Sequence, residues 1–113
     1  MNATDFELNV SLPADSRFAA AMRDLAAHAA RYGGCGDADA DRFGAAVETV
    51  VRACVDRAGS GAVLPVIIRR SAGPVEFLVG CQGWFETAAH EGPVTISWTR
   101  EQGPPMCRVG IDV

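Results

Sequence analysis

The sequence contains no lysine: ten arginines carry all of its fixed positive charge, set against 14 acidic residues for a formal charge of −4 with its two histidines neutral. Arg69 and Arg70 are the one adjacent basic pair. Nucleic-acid binding dominated by phosphate contacts needs clustered cations, so that class is excluded. Long hydrophobic runs are also missing. No apolar stretch approaches the roughly 20 residues needed to cross a bilayer, and no basic segment followed by an apolar one opens the chain. No membrane association is expected, and the expected location is cytoplasmic. Close cysteine pairs are absent as well, since Cys35, Cys54, Cys81 and Cys107 lie far apart. Zinc knuckles and redox Cys-x-x-Cys sites use short spacings, so reduced, mostly buried thiols are expected, with no metal and no cofactor.

What the chain has is apolar content: 49% of its 113 residues are hydrophobic, spread along the whole length. Two separate cores in so short a chain would each be too small to offset chain entropy, so residues 1–113 read as one domain.

Phe6, Leu8, Val10 and Leu12 alternate with Glu7, Asn9 and Ser11, the period-2 pattern of a strand with one buried face, which Pro13 ends. Asp15 and Ser16 can cap a first helix with Phe18, Met22, Leu25, Ala26 and Ala29 on its apolar face, stopped by Gly33-Gly34. A second helix begins among Asp37, Asp39 and Asp41, where carboxylates favour the positive end of the helix dipole. It places Phe43, Val47, Val50, Val51, Cys54 and Ala58 on one face, and Arg42, Glu48, Arg52 and Asp56 on the other, where ion pairs are expected. Gly59-Ser60-Gly61 closes it.

The remainder is β in character. Val63 to Ile68 turns at Ser71-Ala72-Gly73-Pro74 into Val75 to Val79, and after a less regular stretch from Cys81 to Gly92, Val94, Ile96 and Trp98 alternate with polar residues. Gln102-Gly103-Pro104-Pro105 turns the chain into Met106 to Val113, with Cys107, Val109, Ile111 and Val113 sharing a face. The predicted fold is α+β: a two-layer sandwich of about five mainly antiparallel strands with two long helices on one face, in the order β-α-α-β-β-β-β. The other sheet face should be wetter, or should meet a partner.

This order, with Leu12-Pro13-Ala14-Asp15-Ser16-Arg17-Phe18, Ala46-Val47-Glu48 and Arg57-Ala58, resembles the anti-sigma-factor serine kinases of bacterial partner-switching systems. These belong to the histidine-kinase-like (GHKL) ATPases. In that family the second long helix carries a Glu and, four residues on, an Asn, which one helix face presents to water and magnesium. The aligned residues here are Thr49 and Ala53; a one-residue shift gives Glu48 and Arg52, and a cation at the second position repels the metal. Arg57 stands where the family commonly has a His. The next motif is Asp-x-Gly-x-Gly, whose Asp accepts a hydrogen bond from the adenine amino group. Cys81-Gln82-Gly83-Trp84-Phe85 takes its place, so only Gly83 survives, and Phe85 fills space that a ligand needs. Between Trp84 and Gly92 the chain is too short for the family's lid and third helix. The resemblance thus implies a GHKL-like fold lacking its ATP lid, and a pseudo-ATPase; an active member would be a serine/threonine kinase.

Other candidate sites read blandly. Asp24 and His28, four apart on the first helix, could be an acid–base pair, but no nucleophile stands beside them and an exposed ion pair is expected. His90, near Glu86 and Glu91, is expected to be solvated. Cys81, at a strand end beside Gly80, Gly83 and Trp84, has no identifiable base, and Trp84 and Phe85 could plug the former nucleotide cavity. Arg17, Arg23, Asp24 and Arg31 recur along the first helix away from its apolar stripe and could form a partner surface. The resemblance adds that the first strand and helix contribute to dimer and regulator contacts in the family. The expected function is a non-catalytic regulatory or scaffold domain that binds a protein partner, with homodimerisation open. The alternative is a small-molecule-binding module using a remodelled pocket near Cys81, Gly83 and Trp84. An enzyme of an unrelated α+β fold is the third reading, which no compact set of acid, base and nucleophile supports.

Overall fold

The computed structural model describes residues 5–59, 61–70, 73–81, 92–100 and 105–112. In chain order the elements are β1 (Phe6–Pro13), α1 (Arg17–Tyr32), α2 (Asp37–Arg57), β2 (Val63–Arg70), β3 (Val75–Gly80), β4 (Val94–Thr99) and β5 (Met106–Ile111). The predicted order and α+β class are therefore observed. The strands form one sheet, β1-β2-β3-β5-β4, in which every neighbouring pair is antiparallel. The last strand thus lies inside the sheet, between β3 and β4, and β1 is an edge.

Local chemistry sets the helix ends. The Asp15 carboxylate accepts the backbone N–H of Arg17 at 2.9 Å, satisfying a donor that the first turn leaves without a partner. Ser16 occupies the cap position but makes no side-chain cap hydrogen bond. At the other end Gly34 has φ 115°, and the N–H groups of Cys35 and Gly34 reach the carbonyls of Ala30 and Arg31. This is the Schellman arrangement, and its left-handed residue favours glycine. The second helix opens at Gly36 with Asp37 and Asp39 in its first turn, as the dipole favours.

One face of the sheet carries the core. Leu64, Val66 and Ile68 of β2, Val75, Phe77 and Val79 of β3, and Cys107, Val109 and Ile111 of β5 are all buried under the helices. From α2 they meet Phe43, Val47, Val50, Val51 and Cys54, the face that the sequence pattern predicts. The buried face of α1 differs from the expected one. It consists of Ala19, Met22, Ala26, Ala27, Ala29 and Ala30, whereas Phe18 is 39% exposed and Leu25 only half-buried. The reason is that α1 touches both the sheet and α2, and small side chains let it approach both. Gly44 marks the helix crossing: a Cβ there would lie 2.8 Å from the Arg23 carbonyl oxygen. Phe18 and Leu25 are displaced from that buried face, and Leu25 lies on the flank of α1 beside the edge strand.

The opposite sheet face is wet at its edges, where Glu7, Asn9, Ser11, Thr95 and Ser97 are exposed, and closed at its centre. There Leu78 is fully buried between Ile67 and Arg108 in register, and Glu76 is bracketed by Arg69 and Arg108.

Candidate functional site

The flank of α1 and the edge strand together form an apolar cleft of about 230 Å³. Phe6 and Leu8 of β1 make one wall, and Leu25, His28, Ala29 and Tyr32 of α1 make the other. Strand alternation points Phe6 and Leu8 to the helix side, and helical spacing stacks Leu25, His28, Ala29 and Tyr32 over successive turns. The rings of Phe6 and Tyr32 meet edge to face, 5.5 Å apart, and close one end. Leu8, 45% exposed, and Tyr32, 56% exposed, remain open to solvent. Because α1 sits over the sheet interior, nothing of it covers the outer half of β1.

Beside this cleft run the charged residues that the sequence singles out. Phe18, Leu25 and Tyr32 form one seven-residue stripe, and Arg17, Asp24 and Arg31 form the next. Arg17 pairs with Asp15 at 2.6 Å, Arg23 with Glu48 at 3.1 Å, and Arg31 with Asp37 at 3.0 Å and Asp41 at 2.9 Å. The arginines thus hold the start of α1 and tie α1 to α2 while their side chains stay largely accessible. Asp24 and His28 are both exposed, and His28 faces the cleft.

On α2, Thr49 is exposed and its hydroxyl donates to the Ala45 carbonyl of its own helix; Ala53 is half-buried. Glu48 is held by Arg52 at 2.9 Å as well as by Arg23, and these hydrogen bonds, that of Arg52 foremost, keep its carboxyl below the usual range. A carboxylate so held is a weak proton acceptor.

At the end of β3, Cys81 is buried in the same core cluster as Cys54 of α2. Cys107 of β5 belongs to the same buried core. Burial pushes the Cys107 thiol up to about 12, helped by Cys81, and raises Cys54 strongly. All four cysteines are free thiols, and Cys35 is half-buried apart from the other three. Gly83, Trp84, Phe85, Glu86, His90 and Glu91 lie outside the described residues. Among those described, no group of three or more His, Cys, Asp or Glu side chains is arranged to hold a metal ion, and no helix is long and apolar enough to cross a membrane.

The sequence reading passes over the cleft and the shared core of Cys54, Cys81 and Cys107. The seven-residue recurrence of Phe18, Leu25 and Tyr32 is a signal for the first. The second has none, because strand order places the three in one core. Comparison with protein-family models found no match, and comparison with curated proteins found none either.

Proposed function

We propose that this domain is a non-catalytic, GHKL-like regulatory or scaffold module that binds a protein partner along β1 and α1. The observation that carries the reading is the apolar cleft opening directly beside an edge strand. An edge strand offers backbone N–H and C=O groups to an incoming strand, and an adjacent cleft takes alternate side chains of that strand. The occupant is an extended segment of a partner protein, with one aliphatic or aromatic side chain placed between Leu8 and Tyr32. The accessible charges of Arg17, Asp24 and Arg31 along the neighbouring stripe set its register. A second copy of this chain could present its own β1 to the same edge.

Loss of nucleotide chemistry is supported by α2. The two positions aligned with the family's acid and amide hold Thr49 and Ala53, and the adjacent Glu48 is committed to Arg23 and Arg52.

Thermal unfolding with and without millimolar ATP, ADP and magnesium tests this half of the reading. A ligand at about 100 times its Kd adds about 2.7 kcal/mol, a rise of several degrees for a domain of this size. No shift is expected, and a magnesium-dependent rise overturns the non-catalytic reading. For the other half, a displayed library of random ten-residue peptides is selected on the protein. Binders are expected to perturb β1 and α1 backbone resonances and to be lost in Leu8→Arg. Binders that map to another surface overturn the proposed docking edge, and concentration-dependent dimerisation abolished by Leu8→Arg assigns the edge to a second copy.

A further inference from the structure

Given the docking edge proposed above, on which this inference rests, we propose that the docked segment is cationic. It carries arginine or lysine beside its apolar anchor, read by Glu7 of β1 and Asp24 of α1.

The charges around the cleft point to this partner by which of them are already paired. Every arginine of α1 is engaged within the domain: Arg17 with Asp15 at 2.6 Å, Arg23 with Glu48 at 3.1 Å, and Arg31 with Asp37 at 3.0 Å and Asp41 at 2.9 Å. Arg31 thus stands between two carboxylates, and its end of the helix keeps an excess of negative charge. On the sheet side, Arg70 is opposite Phe6 and Arg69 is opposite Glu7. Arg70 lies 3.8 Å from Asp5, and Arg69 is held by Glu76 at 3.1 Å. Glu7 and Asp24 are exposed, and among the described residues neither makes a hydrogen bond or an ion pair. His28, one turn on from Asp24, makes none with it. The lips of an apolar cleft therefore carry two unanswered carboxylates, and the chain has no lysine to answer them. The complementary segment is basic.

The two acids stand on different sides of the docking edge. Only Ala14, Asp15 and Ser16 separate β1 from α1, so the helix runs back along the strand, and the contact of Tyr32 with Phe6 fixes their alignment. Asp24 therefore lies towards the Leu8 end, next to Leu25. Glu7 lies between Phe6 and Leu8 and, by strand alternation, on the opposite face of the sheet. A strand added to β1 has the same alternation. Its anchor points to the helix side and enters the cleft, while the residues immediately before and after the anchor point to the other face, as cross-strand neighbours of Glu7. Residues two positions from the anchor return to the helix side, where a long arginine or lysine side chain extends along α1 towards Asp24. An acid in either place meets like charge and weakens binding.

A library-selected peptide that maps to β1 and α1 is synthesised in three versions. These carry arginine, glutamine or glutamate at the positions one and two residues from the anchor, and their affinities are measured by fluorescence anisotropy at low and high ionic strength. The arginine version is expected to bind tightest and the glutamate version weakest, with a step of about two- to five-fold for each ion pair gained. Salt is expected to shrink the steps. Glu7→Gln and Asp24→Asn should each remove one step from the arginine-over-glutamine ratio, and Asp24→Arg should tighten the glutamate version. Asp56→Asn, at an exposed acid of α2, should leave the ratio unchanged. All four substitutions fall on exposed side chains, and unfolding midpoints check that the fold is kept. Equal affinities at low salt, tighter binding of the glutamate version, or an arginine preference that survives both Glu7→Gln and Asp24→Asn overturns the proposal and leaves the docking edge in place. If no selected peptide maps to β1 and α1, the docking edge falls and the charge assignment falls with it.

Discussion

Glu76 of β3 accepts a hydrogen bond from Nε of Arg69, its directly opposed partner on β2, at 3.1 Å. Arg108 of β5 reaches the second carboxylate oxygen from the other side, folding across Gly110, which stands opposite Glu76. One acid therefore joins three adjacent strands on the face away from the helices. Burial raises the Glu76 carboxyl, and the hydrogen bonds from Arg108 and Arg69 together with their charges overcome that effect, so its folded-state pKa lies below the ordinary value.

That direction fixes the sign of a pH dependence. A depressed carboxyl stabilises the fold fully above its unfolded-state value, about 4.3 for glutamate, and the stabilisation is lost as pH falls through the lower folded-state value. Glu76→Gln is expected to cost about 1–3 kcal/mol at pH 7, because the negative charge shared by two partly buried arginines is removed and an NH2 donor replaces one acceptor oxygen. Urea titrations at pH 7 and pH 3 should show the gap between variant and parent narrowing at the lower pH.

Gly44→Ala tests the helix crossing. In an exposed helix interior alanine would add up to about 1 kcal/mol relative to glycine. Here its Cβ meets the Arg23 backbone oxygen at 2.8 Å, so the helices must separate. A net loss of about 1–3 kcal/mol is expected from overpacking, read as a lower denaturation midpoint at unchanged slope.

Phe77, fully buried in the middle strand, anchors the core. Phe77→Ala should cost about 3–5 kcal/mol, by loss of transferred apolar surface and the cavity left behind. On the exposed side of β4, Thr95→Ala should change stability by no more than about 0.5 kcal/mol. Equal effects of the two in chemical denaturation would mean that the sheet faces are assigned the wrong way round.

Leu8→Arg separates folding from docking. Leu8 is 45% exposed on an edge strand, so the substitution should move stability by less than about 1 kcal/mol while removing peptide binding at the cleft. The unfolding midpoint and a binding isotherm on the same sample check both halves.

The elements were legible in the sequence because each rests on a local rule. Alternation of Phe6, Leu8, Val10 and Leu12 gives a strand, the spacing of Phe43, Val47, Val50, Val51 and Cys54 gives a helix with one buried face, and Gly33-Gly34 gives a stop. The count and order of the elements then force two layers, since two helices with one apolar face each cover one side of a five-stranded sheet.

Tertiary structure decided what local rules leave open. Strand order is set by pairing between residues distant in sequence, and placing β5 between β3 and β4 brings Cys107 into the same buried core as Cys81 and Cys54. Position in the sheet also turned an apparently buried residue outward: Leu8 has the alternation of a core residue, but β1 is an edge and α1 does not reach over it. Phe18 and Leu25 are likewise off the buried face of α1, because a helix packed against both a sheet and a neighbouring helix makes its close contacts through its alanines. Sequence period says which residues share a face. Only the neighbours of that face decide whether it is covered.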